Sequence, residues 1–306
     1  MRVVFMGTPD FAVPTLKALI KEHEVQAVIT QPDRAKGRGK KMQPSPVKIV
    51  ALEHDLPCWQ PQSLKDDDVL KELKVLQPEV CVVVAFGQIL PREILHLPRY
   101  GCINVHASLL PKYRGSAPIH RAVINGEKIT GVTTMQMDVG LDTGDILFCA
   151  QTEIGKETTV GELHDVLAQM SPKLLLETLT KIEAKTIEPK PQEDAASSYA
   201  PPITKEDERI DWNKKTLEIF NLVRGLNPWP GAYTEFKGKR LKIWRVKPHS
   251  LEGKPGEILE IFPDSFAVAT ANGSVLINEL QPAGKKRMPA EAFLRGNQFQ
   301  IGDTLA

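Results

Sequence analysis

The chain has 306 residues, which is long for one compact core and sufficient for two domains. Its content of 42% hydrophobic and 25% charged residues is typical of a soluble globular protein. No apolar run approaches the ~20 residues that a membrane-spanning helix needs, so a protein that spans a membrane by helices is excluded. The net charge of +1 is unevenly divided along the chain. Residues 208–306 carry 15 basic and 11 acidic residues and have a net charge of +4, whereas the rest of the chain has a net charge of −3. A mildly basic C-terminal part is compatible with a polyanionic partner.

Residues 1–189 alternate strand and helix signals, which predicts a Rossmann-like α/β domain with a mostly parallel sheet and helices on both faces. The strands are predicted at 2–6, 25–30, 58–60, 80–85, 101–105, 131–137 and 146–150. The helices are predicted at 14–21, 46–54 (capped by Ser45), 66–76, 119–124 and 160–181.

The composition changes after residue 189. Residues 190–207 are rich in proline and poor in apolar side chains, which is typical of a linker. Residues 208–306 begin with a helix at 217–226 and continue with short strands at 232–236, 240–246, 256–261, 266–270 and 275–280. Five short strands without crossover helices predict a small C-terminal OB-like β-barrel domain.

The cysteines and the N-terminus indicate the compartment. Cys58, Cys81, Cys102 and Cys149 are scattered, three of them in apolar runs, so we expect reduced core residues and neither a disulfide framework nor a zinc site. The first residues run directly into a strand and do not resemble a signal peptide. We therefore expect a cytoplasmic protein, and a monomer is the default expectation.

The most informative stretch is Asn104-Val105-His106, at the end of a predicted strand. Residues two apart on an extended strand point to the same side, and the carboxyl end of a strand in an open α/β sheet faces the ligand crevice. An isolated pair of this kind is more often a loop-capping Asn and a structural His. The adjoining segments 108–111 and 113–115 favour a catalytic function instead.

Residues 138–145 supply three aspartates on a glycine-rich turn. A calcium loop is one alternative, but its ligands fall at positions 1, 3 and 5, whereas these aspartates fall at 1, 5 and 8. Between two strands that frame a cleft, one aspartate can orient His106 and stabilise its charge. Asp142 is predicted to do so, with Asp138 and Asp145 holding the turn.

Two further segments belong to loops at the same rim. Segment 86–91 follows the predicted central strand and offers apolar surface suited to a flat heterocycle, although a hydrophobic loop packed on the core is an equal alternative. Segment 34–41 holds five basic residues and two glycines, so it is either a solvated loop or a contact to a phosphate chain. The turn after the first strand, Gly7-Thr8-Pro9, lacks the glycine fingerprint of dinucleotide sites.

These motifs together resemble the folate-dependent formyltransferases. Asn104, His106 and Asp142 match that family's catalytic Asn, His and Asp, and segment 108–111 matches its folate-loop signature. Three features are closer to the branch that formylates methionyl-tRNA: the opening Gly7-Thr8-Pro9-Asp10-Phe11, the basic insertion after Gln31-Pro32-Asp33 with Pro44-Ser45-Pro46, and a C-terminal domain with Asn227-Pro228-Trp229-Pro230 and Gln281-Pro282-Ala283-Gly284-Lys285-Lys286.

The resemblance implies transfer of the formyl group of 10-formyltetrahydrofolate to the α-amine of initiator methionyl-tRNA, without a metal. It implies that Asn104, His106 and Asp142 are catalytic and that the OB-like domain contacts tRNA. The residues expected to contact folate are Ser108, Leu109, Leu110, Pro111, Phe86, Gln88, Ile89 and Leu90. The residues expected to contact tRNA are Arg34, Lys36, Arg38, Lys40 and Lys41.

Two rival functions remain at this point. A formyltransferase acting on an amino sugar nucleotide would share the catalytic trio, but a small substrate would not need the basic insertion. A non-catalytic RNA-binding protein would use the basic loop and the barrel, but it would not need an aspartate directed into the cleft.

Overall fold

The computed structural model describes residues 1–36, 41–296 and 299–306. The chain forms two compact units whose segments alternate along the sequence. The first comprises Met1–Gly115, Thr130–Thr152 and His164–Ala200, and the second comprises Ser116–Ile129, Glu153–Leu163 and Pro201–Ala306. The division into domains 1–189 and 208–306 with a linker stays a prediction. Two short segments that it assigns to the first domain pack within the second unit.

Strands and helices alternate over the first two thirds of the chain, as the sequence predicts. The strands are β1 (Arg2–Gly7), β2 (Glu24–Ile29), β3 (Arg34–Lys36), β4 (Lys41–Gln43), β5 (Cys58–Trp59), β6 (Val80–Val84), β7 (Cys102–His106), β8 (Ile129–Gln136) and β9 (Ile146–Glu153). The helices are α1 (Val13–Glu22), α2 (Pro46–Glu53), α3 (Asp67–Leu76), α4 (Arg92–Leu95), α5 (Pro118–Ile124) and α6 (Val160–Glu183).

The first unit is built on a seven-stranded sheet of order β5-β2-β1-β6-β7-β8-β9. The pairs β2–β5, β1–β2, β1–β6 and β6–β7 are parallel, whereas β7–β8 is antiparallel. Strand order reverses between β1 and β6, and in such sheets ligands bind at the carboxyl ends of the strands near that point. The carboxyl ends of β1, β6 and β7 therefore frame the candidate crevice.

The central strands are apolar because both of their faces are covered. All five residues of β6 and all five of β7 are buried, including the polar Asn104 and His106. Ser45 caps α2 by accepting a hydrogen bond from the amide of Lys48, and Pro46 occupies the first turn, as predicted. The fold class predicted for this unit is confirmed.

The second unit contains α7 (Thr216–Gly225), β10 (Ala232–Phe236), β11 (Lys239–His249), β12 (Ile258–Ile261), β13 (Phe266–Thr270), β14 (Gly273–Pro282), β15 (Met288–Pro289) and α8 (Ala290–Gly296). Its sheet has the order β10-β11-β14-β13-β12, with β15 on β14, and each of these strand pairs is antiparallel. Apolar residues of α7, the strands and α8 share one core. The antiparallel C-terminal domain is confirmed.

Several short elements differ from the sequence prediction. Strand β11 extends to His249 because register shifts around Arg245 interrupt its alternation without ending its pairing with β14. Helices α4 and α8 and the β3–β4 pair were not predicted, since segments of three to seven residues carry too little periodicity. Within the described parts of the chain, no helix is both long and apolar enough to cross a membrane. All four cysteines are free.

Candidate active site

Strand β7 brings two polar side chains into the apolar sheet of the first unit. Asn104 is only 8% exposed and His106 only 6%, and both belong to the last three residues of the strand. Asn104 pairs with Val83 of β6 and with Met135 of β8, so the backbone is held on both sides. A buried imidazole and a buried amide must be hydrogen-bonded, which fixes their orientation.

The third member of the predicted trio, Asp142, lies on the turn between β8 and β9. Its backbone is left-handed, with φ of 54°, which is uncommon for a residue other than glycine. Asp138 stabilises this turn by accepting hydrogen bonds from the amide of Gly140 and the hydroxyl of Thr143. A Cβ atom at Gly144 would collide with the carbonyl oxygen of Gln136, so this position requires glycine. Asp138 holds the turn as predicted.

The structure brings the three predicted catalytic residues together. Asp142 Oδ1 accepts a hydrogen bond from Asn104 Nδ2 at 3.3 Å, and Asp142 Oδ2 lies 3.7 Å from His106 Nδ1. Asp142 Oδ2 also accepts a hydrogen bond of 2.7 Å from the backbone N–H of Gly115. The carboxylate of Asp142 thus accepts from the Asn104 amide and faces the His106 imidazole. Asn104 and His106 are the hydrogen-bond donors, and such donors are suited to stabilising charge on an acyl oxygen.

The imidazole of His106 has a defined orientation. Its Nε2 lies 2.9 Å from the backbone oxygen of Tyr113, and a carbonyl can only accept, so Nε2 carries the proton. The nitrogen that remains for chemistry is therefore Nδ1, which faces Asp142. His106 presents a second N–H, on Nδ1, only as the imidazolium.

The predicted folate loop is a compact turn closed by its own hydrogen bonds. The hydroxyl of the fully buried Ser108 donates to the carbonyl of Lys112 at 2.7 Å. The buried hydroxyl of Thr133 donates to the Ser108 carbonyl at 2.7 Å and accepts from the Leu110 amide at 3.2 Å. The peptide between Leu110 and Pro111 is cis. The Ser108 side chain therefore shapes the loop, and Leu109 and Pro111 are its partly exposed apolar side chains.

The residues of segment 86–90 divide into core and surface. Phe86 and Leu90 pack in the apolar core beneath the sheet, and Gln88 bonds to the backbone of Leu64 and Pro61. Ile89 is 82% exposed. Phe86 and Leu90 therefore behave as residues of a hydrophobic loop packed on the core. Ile89 is the residue of this segment that offers exposed apolar surface.

The basic segment contributes a short antiparallel pair of strands to the first unit. Arg34 lies in β3 and pairs with Gln43, and Lys36 pairs through the backbone with Lys41 of β4. Arg34 is exposed. Arg38 and Lys40, two further predicted tRNA contacts, lie outside the described residues.

A polar network anchors the start of that segment. Lys48 Nζ donates to both carboxylate oxygens of Asp33, at 3.0 and 2.8 Å, and to Gln60 Oε1. Gln60 Nε2 donates to Asp33 and to the backbone oxygen of Gln31. The hydrogen bonds from Lys48 and then Gln60 lower the pKa of the Asp33 carboxyl below its usual value.

We expect Lys48→Met to lower the thermal unfolding midpoint at pH 7 and to lose this effect in acid. Because the folded-state pKa of Asp33 is lowered, the contribution is present above the ordinary pKa of about 3.8 and disappears as the pH falls through the lower folded value. Calorimetry of both proteins across this range checks the difference. Lys71→Met is the control, because Lys71 and its partner Asp68 are exposed and their pair contributes little. A difference of equal size at all pH values would contradict the assignment.

Two residues that matter at the site were missed by sequence reasoning. Thr133 holds the 108–110 turn, and it is one of several β-branched residues in a strand. Gln192 donates to the backbone of the Asp142 turn from a segment that reads as a linker. Neither has a local spacing signal, because their partners are remote in sequence.

Comparison with known proteins identifies relatives over the whole length. The family model described as Formyl transferase matches residues 1–179, and the one described as Formyl transferase, C-terminal domain, matches residues 202–298. The methionyl-tRNA formyltransferase of Moorella thermoacetica is 53% identical over 100% of this chain and 99% of its own length. That of Citrifermentans bemidjiense is 52% identical over 100% of this chain and 96% of its own.

Solved structures share the fold at lower identity. An N-formyltransferase from Helicobacter canadensis, in complex with folinic acid and dTDP-3-aminofucose, has a TM-score of 0.69 at 21% identity and covers 92% of this chain and 98% of its own. HypX from Aquifex aeolicus in complex with tetrahydrofolic acid has a TM-score of 0.66 at 18% identity, and this chain spans about half of its length (99% of this chain, 50% of that one).

Proposed function

This chain belongs to the formyl transferase family, in its methionyl-tRNA formyltransferase branch, and from that membership we propose that it transfers the formyl group of 10-formyltetrahydrofolate to the α-amine of initiator methionyl-tRNA. The observation that carries the proposal is the combination of about 50% identity over full length with an Asn–His–Asp cluster at the crevice of the sheet. We also propose that it acts in the cytoplasm as a monomer.

Asn104 and His106 are proposed to act on the formyl oxygen. A neutral amine attacks the formyl carbon, and negative charge then develops on that oxygen. The charge returns to the carbonyl when the bond from the formyl carbon to N10 of the folate breaks, and N10 takes up a proton in place of the one that the amine loses. Asn104 Nδ2 has one N–H directed to Asp142 and a second to offer, and His106 offers Nδ1–H as the imidazolium. Two preorganised donors in a buried site stabilise the charge of the transition state far more than the same donors would in water.

Asp142 is proposed to stabilise the charged His106 and to help remove the proton of the attacking amine. Its carboxylate is 3.7 Å from His106 Nδ1, and it is held by the Gly115 amide and by Asn104. These contacts keep both oxygens oriented while the charge on the substrate changes. The proposed roles need no covalent intermediate.

The folate is proposed to bind at the rim formed by segments 86–90 and 108–111. Ile89 and Leu109 offer apolar side-chain surface to a flat heterocycle, and the buried members Phe86, Leu90 and Ser108 maintain the backbone of these two loops. The role of Gln88 is the same, since its amide ties its loop to residues 61–64.

The basic segment 34–41 is proposed to bind the acceptor end of the tRNA, and we expect Arg38→Ala to weaken the reaction accordingly. Removing one phosphate contact should lower kcat/KM for tRNA and reduce the slope of its logarithm against the logarithm of salt by about one. Initial rates at several salt concentrations check this. The control is Lys71→Ala, an exposed lysine of α3. An unchanged salt slope would contradict the assignment of Arg38.

One rival acceptor remains to be tested, an amino sugar nucleotide. The solved sugar formyltransferases share the fold at about 20% identity, which does not transfer their substrate to this chain. The basic insertion favours tRNA, because a small substrate has no use for five clustered cations.

The test is a formyl-transfer assay with 10-formyltetrahydrofolate and two acceptors, charged initiator methionyl-tRNA and an amino sugar nucleotide. Formylation of methionyl-tRNA by the wild type, and its loss in His106→Ala, would support reaction and site together. Binding of folate without transfer to tRNA, accompanied by transfer to the sugar, would overturn the proposal.

A further inference from the structure

The segment 190–200, which the sequence assigns to a linker, is hydrogen-bonded to the turn that carries Asp142. Gln192 Nε2 donates to the backbone oxygen of Asp142 at 2.8 Å and to that of Gly144 at 2.7 Å. Both protons of one side-chain amide are thus directed to the two ends of a three-residue stretch. This stretch contains the left-handed residue of the proposed catalytic trio.

Arg114 fixes which way the Gln192 amide faces. Its Nε donates to Gln192 Oε1 at 3.0 Å, so the oxygen points to the guanidinium and the nitrogen points to the two carbonyls. The opposite orientation would place Oε1 against carbonyl oxygens and Nε2 against a cation. The Arg114 side chain is 11% exposed, and its terminal nitrogen also contacts the exposed Asp194 at 2.9 Å.

The same segment holds the loop that contacts His106. The Tyr113 amide donates to the Ser198 hydroxyl at 2.9 Å, and the Arg114 amide donates to the Ser198 carbonyl at 2.9 Å. The Ala200 amide donates back to the Arg114 carbonyl at 2.7 Å. Tyr113 supplies the acceptor for His106 Nε2, and the next residue but one, Gly115, supplies the donor for Asp142.

We infer that Gln192 is a positioning residue for the reaction, because it sets the place of Asp142 relative to His106 through the backbone of the Asp142 turn. Arg114 acts with it by orienting its amide. The 3.7 Å separation of Asp142 Oδ2 and His106 Nδ1 depends on two loops, and segment 190–200 is bonded to both. The inference rests on the proposed function, since it assigns a role within that reaction.

A purely structural role for Gln192 makes different predictions from a positioning role. A structural residue lowers stability and active fraction, and its effect multiplies with that of any active-site change. A residue that acts through the Asp142 carboxylate lowers kcat, and its effect vanishes once that carboxylate is gone. A double-mutant cycle separates the two.

The test uses Gln192→Glu in the full-length protein, alone and combined with Asp142→Asn. Glutamate has the shape of glutamine and still accepts from Arg114, but it offers no N–H to the carbonyls of Asp142 and Gly144. The matched control is Glu193→Gln, the reverse exchange at the neighbouring exposed position. The readouts are kcat, KM for both substrates, the pH profile of kcat and the thermal unfolding midpoint.

We expect Gln192→Glu to lower kcat by about 10²-fold with both KM values nearly unchanged, because small misplacements of catalytic groups have effects of this size. The double variant should be no slower than Asp142→Asn, and the pH profile of Gln192→Glu should shift toward that of Asp142→Asn. Glu193→Gln should match the wild type.

Arg114→Lys is the second variant, and it applies if Gln192→Glu does not fold. It keeps a cation beside Asp194 and removes the Nε donor to Gln192. We therefore expect a smaller loss of kcat than in Gln192→Glu, and no additional loss when Arg114→Lys is combined with Asp142→Asn. Wild-type kcat in either variant, or a loss that multiplies with Asp142→Asn, would overturn the inference. Wild-type turnover on methionyl-tRNA reports on the proposed function separately. If the wild type formylates only the amino sugar nucleotide, the same ratios are measured with that acceptor.

Discussion

His106→Ala is expected to lower kcat by about 10²–10³-fold, the usual effect of removing one donor to a developing oxyanion. The physical reason is that Nδ1 is the imidazole nitrogen left for the substrate, since Nε2–H is bonded to the Tyr113 carbonyl. The tRNA affinity should be nearly unchanged, because His106 is 6% exposed and lies in the strand at the crevice. Steady-state kinetics with methionyl-tRNA and a binding titration with the same tRNA check both statements.

The control for this variant is His96→Ala, which removes an exposed histidine at the end of α4. Because His106 is buried, the variant also leaves a cavity beside β8, so the unfolding midpoint must be compared with that of the wild type. A folded His106→Ala protein that keeps near-normal turnover would show that the oxyanion is stabilised elsewhere, and the role of His106 would be wrong.

Much of the fold follows from local signals in the sequence. The continuous apolar run at 80–85 predicts a strand covered on both faces, and β6, which ends at Val84, is buried at every position. Ser45 followed by Pro46 predicts the start of α2, because the serine oxygen caps the first turn and proline suits it. These signals are readable because each cause lies within a few residues of its effect.

The candidate site is predictable only in part. Asn104 and His106 share a strand, so their common direction follows from the two-residue period, and the turn residues around Asp142 indicate a polar loop. The contact of Asp142 with the Gly115 amide joins positions 27 residues apart, and that of Gln192 with the Asp142 turn joins positions 50 apart. Such contacts are set by the packing of loops, which leaves no period in the sequence.

The segments matched to folate illustrate the same limit. Phe86, Ile89 and Leu90 look alike as apolar residues in a rim loop, yet two are in the core and one is 82% exposed. The direction of each side chain depends on backbone turns at Ala85 and Gly87, both with positive φ. A rim loop without regular periodicity therefore predicts a location and not the contacting atoms.

Asp142→Asn is the second variant with a large expected effect, a decrease in kcat of about 10²–10⁴-fold, the range for loss of a group that moves a proton. The exchange keeps the shape of the side chain and removes its charge. It also replaces one acceptor oxygen by an N–H donor. In the wild type each carboxylate oxygen accepts one hydrogen bond, Oδ2 from the Gly115 amide and Oδ1 from Asn104 Nδ2. One of these two contacts must be lost, and the imidazolium form of His106 loses its counter-charge. Initial rates at saturating substrates measure the effect.

The matched control is Asp138→Asn, because Asp138 is the exposed carboxylate of the same turn and an amide oxygen can still accept from Gly140 or Thr143. It should retain near-normal turnover. The trio acts as a unit, so the double variant His106→Ala/Asp142→Asn should be little slower than the slower single variant. Losses that multiply would mean that Asp142 takes the amine proton independently of His106, and that the 3.7 Å separation of their side chains serves orientation only.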